Sequence, residues 1–114
     1  MTSSMSFEIT ATPTFQKSLK ALAKRYRSIK DDFAAFALSL QENPLQGDEL
    51  TPGIRKIRMT ISSKGRGKSG GARVITYTVL VSEDDGVIYL VDIYDKAEYS
   101  TVDVAKVRKM VQEI

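Results

Sequence analysis

The chain has 114 residues, of which 42% are hydrophobic, and this length allows one compact domain with a modest core but not two. Its formal net charge of +3 is consistent with attraction to a polyanion but too small to establish it. Cysteine and histidine are absent, which excludes thiol nucleophiles, disulfides, thiolate metal sites and the commonest general base. Any catalysis must therefore use Lys, Arg, Tyr or carboxylate side chains.

The N-terminal residues 1–6 are polar and lack the charged and apolar regions of a signal peptide. We expect them to be disordered, and we expect residues 1–114 as a whole to form one domain. No apolar run reaches the length of a membrane span. The sequence therefore predicts a cytoplasmic protein without a membrane partner.

A short strand leading into a helix is predicted first. Residues 7–11 alternate apolar with polar, as a half-buried strand does. Thr12 followed by Pro13 is typical of a helix start, because a threonine side chain can cap the helix and proline suits its first turn. We therefore expect a strand at 7–11 and a helix beginning at Pro13.

An apolar stripe at spacings of three and four residues continues from this helix start to Leu40. In its middle, Ser28 is followed three residues later by Asp31, a pattern that resembles a capping box. We therefore predict a helical hairpin with helices at about 13–26 and 29–42. The unbroken stripe also permits one long helix.

The second half of the chain is predicted to form a sheet. Residues 46–53 contain two glycines and a proline and are interpreted as a loop. Three strands are then indicated by alternating or nearly continuous apolar residues: 54–61, 72–81 and 87–94. The last of them is nearly continuously apolar, so we expect it inside the sheet rather than at an edge.

A final helix is predicted near the C-terminus, where Ser100 or Thr101 would cap it and Asp103 would lie in its first turn. The predicted order of elements is thus βααβββα. It indicates an α+β fold in which a small antiparallel or mixed sheet packs against an N-terminal helical hairpin, with a C-terminal helix.

Seven basic residues and no acidic residue lie between Gly53 and Thr78, on two predicted strands and the glycine-rich loop that joins them: Arg55, Lys56, Arg58, Lys64, Arg66, Lys68 and Arg73. Because glycine lets the backbone approach a phosphate closely, we interpret this cluster as a nucleic-acid-binding surface. The alternative is a solvated basic face that only keeps the protein soluble. The loop is not a P-loop, because Ser62 stands where that motif needs its first glycine.

A second cluster follows the last predicted strand and consists of Tyr94, Asp95, Lys96, Ala97, Glu98 and Tyr99. Functional sites are often built where strands end, but a lysine between two acidic residues is equally typical of an ion-paired turn. Tyrosines can stack on unpaired RNA bases, and Tyr99 is the better candidate for stacking. Tyr77 and Tyr89 lie among apolar residues and are expected in the core.

Three stretches of the sequence resemble the RelE/ParE superfamily of type II toxins, and in particular its HigB-like members: Ile54 to Arg58, Gly70 to Tyr77, and Leu90 to Lys96. The most specific part is Gly-Lys-Ser-Gly-Gly-Ala-Arg-Val-Ile, residues 67–75. The resemblance covers nearly the whole chain after Phe7. It implies a central antiparallel sheet packed against a helical hairpin.

The resemblance also implies an activity. RelE and HigB toxins enter the ribosomal A site and cut mRNA there, using the 2′-hydroxyl of the RNA as nucleophile and no metal or other cofactor. On this basis we assign catalytic roles to Arg73, Lys56, Arg58, Lys68, Lys96 and Tyr99. RNA contacts are assigned to Arg55, Lys64, Arg66 and Tyr94.

The match has departures. RelE places an arginine directly after the lysine of the last motif, where this chain has Ala97, and Tyr99 is only the nearest residue to the catalytic tyrosine of RelE. Lys68 or Lys56 stands among other cations and would serve as the base, whereas Lys96 beside acidic residues is assigned to phosphate contact or to the acid. These departures leave the general acid open.

A toxin of this kind is silenced by a cognate antitoxin, which we expect to be a helix-turn-helix protein, and it acts on the ribosome and mRNA. The superfamily also contains ParE proteins, which poison DNA gyrase and are not nucleases, so gyrase inhibition is the alternative. A plain nucleic-acid-binding or antitoxin-binding module is a third interpretation. The basic cluster favours the nuclease, because a gyrase inhibitor needs no such cluster on its sheet face.

Overall fold

The computed structural model of the protein describes residues 6–64, 70–98 and 102–114. Its elements in chain order are β1 (Ser6–Ala11), α1 (Pro13–Arg25), α2 (Ile29–Glu42), β2 (Asp48–Thr51), β3 (Ile54–Met59), a 3₁₀ turn (Ser62–Lys64), β4 (Ala72–Leu80), β5 (Asp85–Asp95) and α3 (Val104–Gln112). The α+β fold is confirmed. Residues 1–5 of the segment expected to be disordered lie outside the described residues, whereas Ser6 already belongs to β1.

The five strands form one mixed sheet in the order β1-β5-β4-β3-β2. β1 runs parallel to β5, and the pairs β5–β4, β4–β3 and β3–β2 are antiparallel. β5 lies between β1 and β4, as its nearly continuous apolar character predicts. The predicted hairpin break is also confirmed, since α1 ends at Arg25 and α2 begins at Ile29.

The loop predicted at residues 46–53 is wrong in one respect, because it contains β2. Asp48 and Glu49 have low strand propensity and give no local signal of a strand. In the sheet they lie opposite Lys56 and Arg55 of β3, so opposite charges face each other across the pair. Tertiary pairing therefore makes a strand where the local sequence predicts a loop.

The starts of α1 and α2 are predicted at the right places, whereas α3 begins later than expected, and two of the three predicted caps differ. Thr12 caps α1 as expected, accepting a hydrogen bond from the Phe15 amide at 3.1 Å. Ser28 occupies the N-cap position of α2, but its side chain makes no capping hydrogen bond, and its hydroxyl instead donates to Asp32 Oδ2 at 2.6 Å. The predicted cap of α3 at Ser100 or Thr101 is wrong, because Asp103 is the N-cap and accepts from the Lys106 amide at 3.2 Å.

Each face of the sheet carries its own apolar cluster. The larger cluster joins the helical hairpin to one face, and Phe15, Leu40 and Leu90 are among its buried members. On the other face, α3 contributes Val107, which packs with Ile54, Ile75 and Val91. Alternation along each strand therefore decides whether a side chain faces the hairpin or faces α3.

The edge strand β1 is flanked by amide side chains from both helices of the hairpin. Gln16 Nε2 of α1 donates to the Ala11 carbonyl at 3.1 Å, and Gln41 Nε2 of α2 donates to the Phe7 carbonyl at 3.1 Å. These bonds occupy carbonyl groups near both ends of the strand.

Within the described residues, no helix is long and apolar enough to cross a membrane.

Candidate functional site

Three of the residues proposed from the sequence form one row across the sheet. Arg58 of β3 lies directly opposite Arg73 of β4, and Arg73 lies directly opposite Tyr94 of β5. Directly opposite residues on neighbouring strands have Cβ atoms only about 4.5–5.5 Å apart. We call Arg58, Arg73 and Tyr94 the cross-strand row.

The alternation of β3 explains why this row lies on the α3 side. Ile57 and Met59 are buried in the cluster beneath the helical hairpin. Successive side chains of a strand point to opposite faces, so Lys56 and Arg58 lie on the other face, as the sequence predicts. Arg58 is exposed and Lys56 is half-buried, and the row therefore meets solvent at its β3 end.

Arg73, in the middle of the row, is only 5% exposed. Its Nη1 donates to the Ala72 carbonyl at 3.0 Å. Burial lowers the pKa of Arg73 from its ordinary value and the positive charge of Arg58 lowers it further, while Tyr94 acts in the opposite direction. The guanidinium thus lies beside the like charge of Arg58 and is held by a backbone carbonyl.

Tyr94 ends the row on β5. Burial raises the pKa of its hydroxyl above the ordinary value of 10.0; Arg73 opposes this shift and Asp92 adds to it. The phenol therefore stays protonated at neutral pH and can donate a hydrogen bond. A cavity of about 520 Å³ lies beside Tyr94, between α1 and α3, a size typical of ligand sites.

Two proposed RNA contacts lie away from this row. Arg55 has the opposite parity to Lys56 and Arg58 and so faces the hairpin side, where its Nη2 is 3.8 Å from Glu49 Oε2. Lys64 lies at the end of the 3₁₀ turn, and its Nζ donates to Asp95 Oδ1 at 2.8 Å. The structure thus brings Lys56, Arg58, Arg73 and Tyr94 together but not Arg55 or Lys64.

Lys96 follows β5 in a turn and is exposed. Its amide donates to the Gly71 carbonyl at 3.1 Å, which holds the residue beside the start of β4. The neighbouring carboxylates pair with other cations, Asp95 with Arg25 and Lys64, and Glu98 with Arg25. Arg66, Lys68 and Tyr99, also proposed from the sequence, lie outside the described residues.

Asp95 is a residue whose importance sequence reasoning missed. It is 1% exposed, and its carboxylate accepts hydrogen bonds from four groups: Tyr26 Oη at 2.5 Å, Lys64 Nζ at 2.8 Å, the Ala97 amide at 2.9 Å and Arg25 Nη2 at 3.2 Å. Burial acts to raise the pKa of Asp95, but the bonds from Lys64, Tyr26 and Ala97 outweigh it, so the pKa lies below the ordinary value. Its side-chain partners Arg25, Tyr26 and Lys64 are distant in sequence, so no local motif could reveal this role.

Tyr77 and Tyr89, interpreted from the sequence as core residues, are half-buried at the margin of the core. Their rings are stacked with centroids 6.1 Å apart, and both pack against the apolar cluster beneath α3. Stacked aromatic pairs of this kind add to the stability of a sheet face. The two rings therefore support the surface on which the cross-strand row lies.

Comparison with known proteins adds one match. A family model described as "ParE toxin of type II toxin-antitoxin system, parDE" matches residues 9–99, well over half of the chain. The matched region begins in β1 and includes every member of the cross-strand row.

Proposed function

The chain belongs to the ParE toxin family of type II toxin–antitoxin systems, and on this premise we propose that it is a ribosome-dependent mRNA endonuclease that blocks translation. ParE toxins pair with a cognate antitoxin of the parDE system, and we propose a helix-turn-helix protein as the partner that silences this chain. The observation that carries the proposal is the cross-strand row of Arg58, Arg73 and Tyr94, with Lys56 beside it. Such a concentration of cations on one sheet face suits a phosphate-rich substrate.

The chemistry that fits this face is internal attack of the RNA 2′-oxygen on the neighbouring phosphorus. The bond from the 2′-oxygen to phosphorus forms while the bond from phosphorus to the 5′-oxygen breaks. One proton leaves the 2′-hydroxyl and another reaches the leaving 5′-oxygen. Extra negative charge develops on the phosphate oxygens in between, and fixed cations that meet it lower the barrier.

In this proposal each member of the row has a role. Arg73 meets the transition-state charge, because its guanidinium is already held by the Ala72 carbonyl and loses little freedom when it binds an anion. Arg58 and Lys56 bind phosphate at the more open side of the face. Tyr94 orients the RNA with its protonated hydroxyl at the cavity between α1 and α3.

Proton transfer is assigned to residues around the row. Lys68 or Lys56 takes the proton of the 2′-hydroxyl, and Lys96 or Tyr99 supplies the proton to the leaving oxygen. Lys96 is held beside the start of β4 by the hydrogen bond that its backbone amide donates to the carbonyl of Gly71, two residues from Arg73. The reaction draws its charge stabilisation from side chains of the chain itself and uses no cofactor.

Gyrase inhibition is the second candidate function, and the family match favours it because the matching model is named for ParE. The superfamily that this sequence resembles contains ParE proteins that poison DNA gyrase. A gyrase inhibitor would need a protein-binding surface rather than a phosphate-binding row. The two functions therefore make different demands on Arg73.

The test is to induce the protein without its antitoxin in bacteria and to follow methionine and thymidine uptake together. We expect methionine uptake to fall first and mRNA cut on the ribosome to appear by primer extension. The matched control is Arg73→Ala, whose folding is checked by circular dichroism and which should abolish both effects. Early loss of thymidine uptake with accumulation of gyrase cleavage complexes would replace this proposal with gyrase inhibition.

A further inference from the structure

Asp95 joins three parts of the molecule that are far apart in the sequence. Its donors come from the end of α1 and the residue after it, from the 3₁₀ turn, and from the turn that follows β5. Arg25 extends the junction by pairing also with Glu98. A buried carboxylate that accepts from several fixed donors has little freedom to move.

The position of Asp95 relates this junction to the cross-strand row. Asp95 follows Tyr94 directly in β5 and lies opposite Ala72, the neighbour of Arg73. Its side chain contacts α1, whereas Tyr94 packs on the α3 side of the sheet. Asp95 therefore lies behind the proposed RNA-binding face rather than on it.

The same carboxylate shapes the turn that carries Lys96. The Ala97 amide donates to Asp95 Oδ1 at 2.9 Å, and the Glu98 amide donates to the Asp95 carbonyl at 3.0 Å. With the bond from the Lys96 amide to Gly71, these contacts fix the backbone on both sides of Lys96. Tyr94 and Lys96, which flank Asp95 in the chain, are thus held at set positions relative to α1.

We infer that Asp95 is a positioning residue for mRNA cleavage, which holds Lys96 and Tyr94 in register with Arg73 without touching the RNA. This inference rests on the proposed nuclease function. A displacement of about 1 Å in a reacting group can cost about a hundredfold in rate, so a rigid junction behind the face has a direct effect on cleavage. A buried ion pair often adds little net stability to a fold. A role in positioning Lys96 and Tyr94 would explain why this one is present.

The test is single-turnover mRNA cleavage on programmed ribosomes with Asp95→Asn, which nearly preserves size but removes the charge. We expect the maximal rate to fall about tenfold to a hundredfold, with the toxin concentration for half-maximal rate changed by less than about twofold. Leu40→Ala is the matched control, because Leu40 is fully buried in α2 and its loss weakens the fold without touching the junction. Folded Leu40→Ala should cleave like wild type.

A double-mutant cycle with Lys96→Ala identifies what Asp95 acts through. If Asp95 works by placing Lys96, Lys96→Ala lowers the rate much less in the Asp95→Asn background than in wild type. Hydrogen exchange gives a readout that does not depend on activity. The amide hydrogens of Lys96 and Ala97 should exchange faster in Asp95→Asn than in wild type, and their exchange rates should be unchanged in Leu40→Ala.

Tyr26→Phe removes only one donor to Asp95 and serves if Asp95→Asn does not fold. It should give a smaller fall in rate with faster exchange at the same amides. When wild type cleaves, two outcomes would show that the inference is wrong while the proposed function stands. In the first, Asp95→Asn, or Tyr26→Phe in its place, cleaves at the same rate as Leu40→Ala. In the second, the effects of Asp95→Asn and Lys96→Ala on the rate simply multiply. If wild type itself leaves ribosome-bound mRNA intact, both fail together.

Discussion

Arg73 and Tyr94 lie directly opposite each other on β4 and β5, and each shifts the proton affinity of the other. Burial dominates both shifts, lowering the pKa of the arginine and raising that of the tyrosine. The arginine charge partly reverses the shift of the tyrosine, and the tyrosine partly reverses that of the arginine. A fixed cation and a protonated hydroxyl thus stand side by side in the cross-strand row.

Replacing Arg73 should remove the central charge of the row. We expect Arg73→Ala to lower mRNA cleavage about a hundredfold to a thousandfold, which is typical when one preorganised charge contact is lost. Lys20→Ala, which removes an exposed cation from α1, should cleave at the wild-type rate. Cleavage on programmed ribosomes measures both, and a folded Arg73→Ala that cuts as fast as wild type would show that the row is not the active site.

Arg58 should lower stability while it serves function. Arg58 and Arg73 are like charges directly opposite each other, and such pairs destabilise a sheet. We expect Arg58→Ser to raise the free energy of unfolding by about 0.2–1 kcal/mol and to lower cleavage. Urea denaturation and the ribosome assay together test this, and a loss of stability in Arg58→Ser would contradict the assumed repulsion.

Stability should fall at acid pH because of two buried carboxylates. Burial acts to raise the pKa values of Asp95 and Asp32, but hydrogen bonds outweigh it, and both values lie below the ordinary 3.8. Groups of this kind stabilise the fold above the unfolded-state pKa, and that contribution is lost as the pH falls through the lower folded-state values. We therefore expect the free energy of unfolding to decline steadily from about pH 5 downward.

The variant Asp95→Asn isolates one of these contributions. It should lower the free energy of unfolding at pH 7 by about 3 kcal/mol, the low end for a broken buried ion pair, because one of its two cationic partners, Arg25, is 47% exposed and screened. Its stability should also depend less on pH below 5 than that of wild type. Equal pH dependence in the two proteins would mean that Asp95 is not one of the groups responsible.

The cognate antitoxin should bind with a rate that depends on salt. Arg58 is an exposed cation on the sheet face, and an acidic partner segment that covers this face gains association rate from it. We expect the association rate constant to fall as salt rises toward physiological strength, and to fall less for Arg58→Ser. Stopped-flow mixing measures both, and a salt-independent rate would place the antitoxin on another surface.

Local sequence patterns predicted which side chains of a strand are buried, but not which strands pair. The alternation of Lys56 and Arg58 with Ile57 and Met59 predicted correctly which face carries the basic side chains. β2 could not be predicted, because its acidic residues form a strand only where they meet the basic residues of β3. The periodicity of apolar residues indicates which side chains are buried, whereas the pairing of strands depends on contacts between residues that are distant in sequence.

The candidate site was likewise predicted only where local sequence determines it. The run of basic residues placed Lys64 among the predicted RNA contacts, yet its ammonium binds Asp95, which is 31 residues away in the chain. Arg25 and Tyr26, at the end of α1, carry no local sign that they hold the turn after β5. The row itself became visible only when the register of β3, β4 and β5 placed its members opposite each other.

The two glutamines beside β1 limit the ability of this edge strand to pair with another chain when no partner covers it. A foreign strand that approached this edge would find the carbonyls of Phe7 and Ala11 already bonded to Gln41 and Gln16. Exposed strand edges are templates for aggregation, and blocking their acceptors removes part of the template. The blocked acceptors therefore make the free toxin less prone to pair edge to edge with another chain.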